Sequence, residues 1–218
     1  MKPYGVIKNA LSLDVVDFAN AYLLLKRQVL QTFLKTRYIN PFSNEMGTFT
    51  DPQVPNTYSI YGDVAMDTLL KGLKPIMEKR AREPLSCTYS YARIYKKGDV
   101  LVRHMDRFSC EISCTMTLGG DPWPIFIDPT GKSSVEKVIS ENEIIAKPNP
   151  SKGVKITLKP GELLFYRGCE HEHWREPLEG ESCSQVFLHY NRAKSEQGQQ
   201  NINDTRPHLG LPAWFKNK

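Results

Sequence analysis

The chain has 218 residues, 40% of them hydrophobic and 24% charged, with a formal net charge of +5. That suits one soluble domain with its own core, and no apolar run approaches the roughly 18 residues a bilayer span requires. The opening MKPYGVIKNALSLDVVDFAN is too charged for a signal peptide, and the five cysteines (Cys87, Cys110, Cys114, Cys169, Cys183) are an odd set without framework spacing, so reduced thiols and a cytoplasmic protein are expected.

Residues 13 to 36 are predicted helical, with Leu13, Val16, Phe18, Ala21, Leu24, Leu25 and Phe33 at helix-compatible spacing. PFSNEMGTFTDPQVPNTYSIYGD, rich in Pro, Asn, Gly and Ser, reads as a long loop. A second helix is expected from Val64 to Ala81, capped by Asp63, with Met66, Leu69, Leu70, Leu73 and Met77 forming one stripe and Pro75 interrupting it. From Ser86 the pattern changes to short β segments. TYSYARIY alternates, which puts Tyr89, Tyr91, Arg93 and Tyr95 on one face. DVLVRHMD, CEISCTMTL, PWPIFID, VKITL, ELLFYRG and SCSQVFLHYN follow, separated by Gly or Pro turns. Such a series argues for a sandwich or jelly roll, mainly β with flanking helices. The division expected is a helical flank (1–85), a β core (86–195) and a tail (196–218) that packs back through Trp214 and Phe215. The stretch from Thr130 to Gly153 is the longest interruption, either a lid or an ordinary excursion.

His104 and Asp106 lie two apart in a predicted strand, so both side chains project from one face. Imidazole and carboxylate held together can occupy two positions of an octahedral metal, and a third ligand from another strand completes a facial triad. An H-x-D pair alone is more often a surface ion pair. The third ligand must come from Cys169-Glu170-His171-Glu172-His173-Trp174, where spacing alone leaves His171 and His173 equally eligible. No H-E-x-x-H is present, which excludes the helical zinc-peptidase arrangement.

R-I-Y-K-K-G-D-V-L-V-R-H-M-D, from Arg93 to Asp106, resembles the strand, glycine turn and H-x-D of the prolyl-4-hydroxylase-like oxygenases. I-F-I-D-P, from Ile125 to Pro129, and K-P-G-E-L-L-F-Y, from Lys159 to Tyr166, continue the match in order. In that family the distal histidine is followed four residues later by proline, which His173 with Pro177 satisfies and His171 with Arg175 does not. The resemblance therefore implies a double-stranded β-helix (jelly roll, cupin-like) with His104, Asp106 and His173 as iron ligands and His171 as a neighbour at the rim. It implies Fe(II), 2-oxoglutarate as cosubstrate and O2, with succinate and CO2 released as a C–H bond is hydroxylated. A halogenase is disfavoured, because Asp106 takes the position a halide needs.

The family usually holds the far carboxylate of 2-oxoglutarate with an Arg or Lys nine or ten residues past the distal histidine. Ser182 and Cys183 stand there instead. A buried carboxylate needs a cation, so a substitute is expected. Arg175, on the face of His173, is the first choice and Arg93, on the face of Tyr95, the second. Tyr95 matches the family tyrosine that hydrogen-bonds this carboxylate, and Thr117 falls where another pocket residue lies.

The resemblance points to a peptide or protein side chain as substrate, with a small molecule as the wider possibility. Oxidative demethylation of nucleic acid is the runner-up, but the R-x-N-x-T-x-R run of that branch is replaced by G-E-S-C-S-Q-V-F-L, and no nucleic-acid or membrane partner is expected. A β-helix binding module with a non-catalytic metal is the rival from another class. Gly131-Lys132-Ser133 lacks the first glycine of a P-loop. Cys110 and Cys114 are expected to share a buried face, Trp123 and Trp174 to be packing residues (with the substrate-side wall as the other reading of Trp174), and His189 to be a structural histidine.

Overall fold

The computed structural model describes residues 4–40, 42–131, 138–140, 143–145 and 151–215, with backbone alone for 138–140 and 143–145. In chain order, β1 (Tyr4–Ile7) precedes α1 (Leu13–Lys35), and β2 (Tyr58–Tyr61) precedes α2 (Val64–Ala81). Then come β3 (Leu85–Lys96), β4 (Leu101–Met105), β5 (Ile112–Gly120), β6 (Ile125–Ile127), β7 (Val138–Ser140) and β8 (Glu143–Ile145). After these, β9 (Val154–Ile156), β10 (Leu163–Tyr166), β11 (His173–Arg175) and β12 (Ser182–Arg192) lead to the short α3 (Glu196–Gln200).

Among the described residues the strands form two six-stranded antiparallel sheets. The large one runs β1-β10-β5-β12-β3-β2 and the small one β7-β8-β4-β11-β6-β9. From β3 to β6, and again from β9 to β12, each turn carries the chain from one sheet to the other. This is a jelly roll, the double-stranded β-helix. Most of the longest interruption, 132–150, the candidate lid, lies outside the described residues or is described by backbone only.

Period-two alternation divides the large sheet into two faces. Outward-facing Ala92, Ile94, Met116, Leu163, Val186 and Leu188 pack beneath α1 and α2 in one apolar cluster. Burying each of the larger side chains among them contributes about 1.5–3 kcal/mol. Asp63 joins the two helices. Its Oδ1 accepts from the Ala65 and Met66 amides at the start of α2, and its Oδ2 accepts from Lys26 Nζ (2.5 Å) and the Tyr22 hydroxyl (2.7 Å) of α1.

Two expectations need correction. Phe18 and Leu25 face solvent at 67% and 61% exposure; the buried stripe of α1 is Val16, Ala19, Leu23 and Leu30. The segment before α2 is not loop throughout: Tyr58–Tyr61 pairs with β3, as Tyr4–Ile7 pairs with β10. Both are strands of four residues, too short for alternation to stand out.

Candidate metal centre

The inner face of the large sheet looks across the roll to β4 and β11. There His104 and His173 are register partners on adjacent antiparallel strands, with ring centroids 4.3 Å apart. Asp106 follows β4, held by its backbone N–H donating to the Gly168 carbonyl (2.9 Å). Gly168 has to be glycine here, since an added Cβ would lie 2.4 Å from the Cys110 backbone carbonyl and 2.3 Å from Asp106 Oδ2. Asp106 Oδ1 is 3.6 Å from His104 Nε2 and 3.5 Å from His173 Nε2. Each imidazole donates its other nitrogen to a backbone carbonyl, His104 Nδ1 to Val102 (2.7 Å) and His173 Nδ1 to His171 (3.0 Å). That fixes both tautomers, so both Nε2 lone pairs point at the shared centre. Burial works against the Asp106 charge, but His173 and His104 outweigh it and hold the carboxyl well below its ordinary range. Two imidazoles and a carboxylate, convergent and oriented from behind, are a donor set that fits a divalent transition metal.

A cavity of about 840 Å³ opens on this cluster, lined among others by Tyr89, Tyr91, Arg93, Tyr95, Tyr166 and His189. Tyr95 reaches it from β3, edge-on to Trp123 (4.5 Å). Arg175 and Thr117 do not line it. They belong to a buried polar cluster between the sheets, centred on Gln185. Arg175 Nη2 donates to Gln185 Oε1 (3.1 Å), and Gln185 Nε2 donates to Thr117 Oγ1 (2.8 Å). Arg175 also donates to the Trp123 carbonyl, and its guanidinium lies 4.8 Å from the Trp123 ring centroid.

The two candidate cations differ in what surrounds them. Arg93 Nη2 pairs with Asp51 Oδ2 (2.5 Å), and its Nη1 donates to Gln53 Oε1 (2.9 Å) and the Tyr95 hydroxyl (3.3 Å). Burial works against its charge, yet Tyr95, Tyr91 and Asp51 hold it above its ordinary value. Arg175 is equally buried, at 1% exposure, and the Nε of each arginine lacks a hydrogen-bond partner, but among the described residues no carboxylate pairs with Arg175. Burial depresses it, and Tyr95, Cys183 and Tyr166 only partly compensate. One cation is satisfied; the other is short of an anion.

Several residues at or near this site depart from expectation. His171 is not at a rim but 1% exposed, with Nδ1 donating to the Asp128 carbonyl (3.0 Å). Trp174, by contrast, is the packing residue expected: it stacks on Phe126 (5.5 Å) beneath the Arg103 guanidinium and does not line the cavity. Cys110 lines the cavity whereas Cys114 belongs to the helix-side core, so the two do not share a face. His189 does face the cavity, hydrogen-bonded through Nδ1 to Ser113 Oγ (2.9 Å), and burial lowers it to about 4. Asp106, Cys110 and His189 form a second convergent trio, but burial raises the Cys110 thiol well above its ordinary value, which disfavours the thiolate a metal needs.

Residues without a sequence signal complete the walls. Asp51 and Gln53 come from the loop before β2, and Asp204 from the tail. Asp204 takes both Arg107 terminal nitrogens (2.8 Å each), the Ser109 hydroxyl (2.6 Å) and the Tyr61 hydroxyl (2.5 Å). Asn203, Asp204 and Thr205 are successive non-glycine residues with positive φ (54°, 56° and 64°), a costly backbone that this network holds in place.

No protein-family model matches the sequence, and no curated protein matches it. Solved structures do. The chain is similar to a Pseudomonas putida prolyl-4-hydroxylase at 16% identity and TM-score 0.52, covering 88% of this chain and 94% of that one. HygX from Streptomyces hygroscopicus, solved with nickel and 2-oxoglutarate, aligns at 11% identity and TM-score 0.58 over 100% and 93%. The epimerase SnoN, solved with Fe3+, alpha ketoglutarate and nogalamycin RO, aligns at 14% identity and TM-score 0.56 over 86% and 79%. The chain thus has the double-stranded β-helix fold of iron- and 2-oxoglutarate-dependent oxygenases.

Proposed function

We propose that this chain is an Fe(II)- and 2-oxoglutarate-dependent oxygenase in which His104, Asp106 and His173 hold the metal. The observation that carries this is the convergence of their three ligand atoms within 4.8 Å, on a fold shared with such enzymes. Bound iron, with 2-oxoglutarate and O2, supplies oxidation of a substrate C–H bond coupled to decarboxylation of the 2-oxo acid. The protein's own residues bind and orient. Val102 and His171 carbonyls keep both imidazoles in the metal-binding tautomer, and Arg175 provides the buried cation that the far carboxylate of 2-oxoglutarate requires, with Tyr95 and Thr117 beside it. Arg93 is the second candidate for that role, since Asp51 already pairs with it. The five free cysteines suit a cytoplasmic setting.

For the substrate, the sequence blocks favour hydroxylation of a peptide or protein side chain. A compact small molecule is the second reading, favoured by a cavity of about 840 Å³ whose walls include the 51–53 loop and the tail residues Asp204 and Ala213. That volume is in the range of small-molecule sites. The test is succinate formation with Fe(II) and 2-oxoglutarate, alone and with prolyl peptides. Peptide-stimulated turnover supports the first substrate reading, and turnover that no peptide stimulates favours the second. Failure to bind 2-oxoglutarate in the presence of Fe(II) would overturn the oxygenase reading itself.

A further inference from the structure

Gln53 stands closer to the metal cluster than its position in an upstream loop suggests. Its Nε2 lies 3.5 Å from His104 Nε2, and its Oε1 accepts from Arg93 Nη1 at 2.9 Å. A guanidinium has only donors, so Arg93 selects the amide orientation: oxygen towards Arg93, NH2 towards the metal cluster. His104 Nδ1–H is committed to the Val102 carbonyl, leaving Nε2 as an acceptor for that NH2. A metal on His104 uses this lone pair, and the amide donor, still held by Arg93, then needs another acceptor beside the metal.

The loop is built to keep Gln53 there. Thr48 and Ser59 exchange backbone hydrogen bonds at its base (2.8 and 2.9 Å). Val54 packs in the cluster of Tyr95 and Trp123. Asp51 Oδ1 accepts from the Gln53 amide N–H (2.8 Å), while its Oδ2 binds Arg93 and the Tyr91 hydroxyl. We propose that Gln53 is a positioning residue whose carboxamide donates to a carboxylate oxygen at the chelating end of the metal-bound 2-oxo acid, with Arg93 and Asp51 as the clamp that aims it. This rests on the oxygenase reading above.

The experiment is anaerobic titration of the Fe(II) protein with 2-oxoglutarate, followed by visible charge-transfer absorption and by calorimetry, for wild type, Gln53→Leu and Gln53→Glu. The Glu variant keeps the size of the side chain and its bond from Arg93, but exchanges the NH2 donor for a negative charge. We expect about tenfold weaker 2-oxoglutarate binding with a displaced absorption band for Leu, and at least as large a loss for Glu. A Glu variant that binds like wild type would show that Gln53 only ties down the loop and would overturn the proposal. The same titration with 2-oxobutyrate, which has the chelating end but no far carboxylate, should reproduce the Gln53 effect; its disappearance there would mean Gln53 serves the far end, contrary to the proposal. Wild-type protein that shows no 2-oxoglutarate-dependent absorption overturns the oxygenase reading and this one with it, whereas normal wild-type binding with unchanged variants overturns this one alone.

Discussion

Replacing Arg175 by Met removes a buried guanidinium while retaining most of the side chain's length. The group is 1% exposed, stacks on Trp123 at 4.8 Å and has no carboxylate partner among the described residues. If it receives the far carboxylate of 2-oxoglutarate, the lost charge-assisted bond is worth about 1.5–3 kcal/mol. At 1.4 kcal/mol per decade this is about a 10- to 150-fold rise in the apparent KM for 2-oxoglutarate, with iron affinity unchanged. The metal-free protein should behave differently. A buried cation without an anion carries a desolvation penalty, and Gln185 Oε1 keeps Thr115 Oγ1 as a donor (3.2 Å), so truncation leaves only the Trp123 carbonyl without its partner. The apo Tm should therefore move by no more than about 4 °C. Adding Ni(II) and 2-oxoglutarate should raise the wild-type Tm well above that of the variant, because only the wild type binds the dicarboxylate tightly. Equal KM values together with equal ligand-induced Tm shifts would refute this role for Arg175.

His104→Ala and Asp106→Ala should each abolish iron binding and turnover while circular dichroism stays native-like; full iron-dependent activity in either variant contradicts the triad. His173→Ala should be inactive, whereas His171→Ala should lose stability but keep iron binding, and equilibrium dialysis of Fe(II) against both variants checks the ranking. Tyr95→Phe should weaken 2-oxoglutarate less than Arg175→Met in the same titration, since a neutral hydroxyl contributes less than a cation. Asp204→Asn should cost about 1.5–3 kcal/mol in urea unfolding at pH 7. Burial raises the Asp204 carboxyl, but Arg107, Ser109 and Tyr61 outweigh it and depress it strongly. Its contribution is therefore complete above the unfolded value of about 3.9 and lost as the pH falls below it, so the gap between wild type and variant should shrink by pH 3.

Much of the architecture is legible because long elements impose their period on the sequence. The helix expected over 64–81 is Val64–Ala81, and Tyr89, Tyr91, Arg93 and Tyr95 all line the cavity, since alternation in a 12-residue strand leaves no other arrangement. His104 and Asp106 were readable as a pair through the same rule. What escaped is mostly set by tertiary pairing. β1 and β2 have four residues each and exist because β10 and β3 offer them an edge. Trp174 alternates away from His173 as a strand residue must and stacks on Phe126, the packing role expected of it ahead of a place in the substrate wall. His189 shares its face with Gln185 and Phe187 on β12, a pattern visible in SCSQVFLHYN once the inner face is known.

The choice between Arg175 and Arg93 shows where reading by residue type stops. Alternation puts both on the inside of the roll, and Arg175 ranks first in the sequence only because it shares the face of His173 two residues before it. The difference is the company each keeps: Arg93 meets Asp51, 42 residues upstream in a loop without periodicity, and Arg175 meets the amide of Gln185. At the position where the prolyl-4-hydroxylase-like oxygenases usually carry the cation, Cys183 is buried in an apolar cluster with Tyr95, Trp123 and Leu178. A guanidinium there would displace that packing. Placed on β11 instead, the charge enters from the opposite sheet, is oriented by Trp123 and Gln185, and leaves the β12 position free to remain core. If Arg175 receives the far carboxylate, as proposed, the departure at Cys183 and the presence of Arg175 are two sides of one solution to holding a cation between two packed sheets.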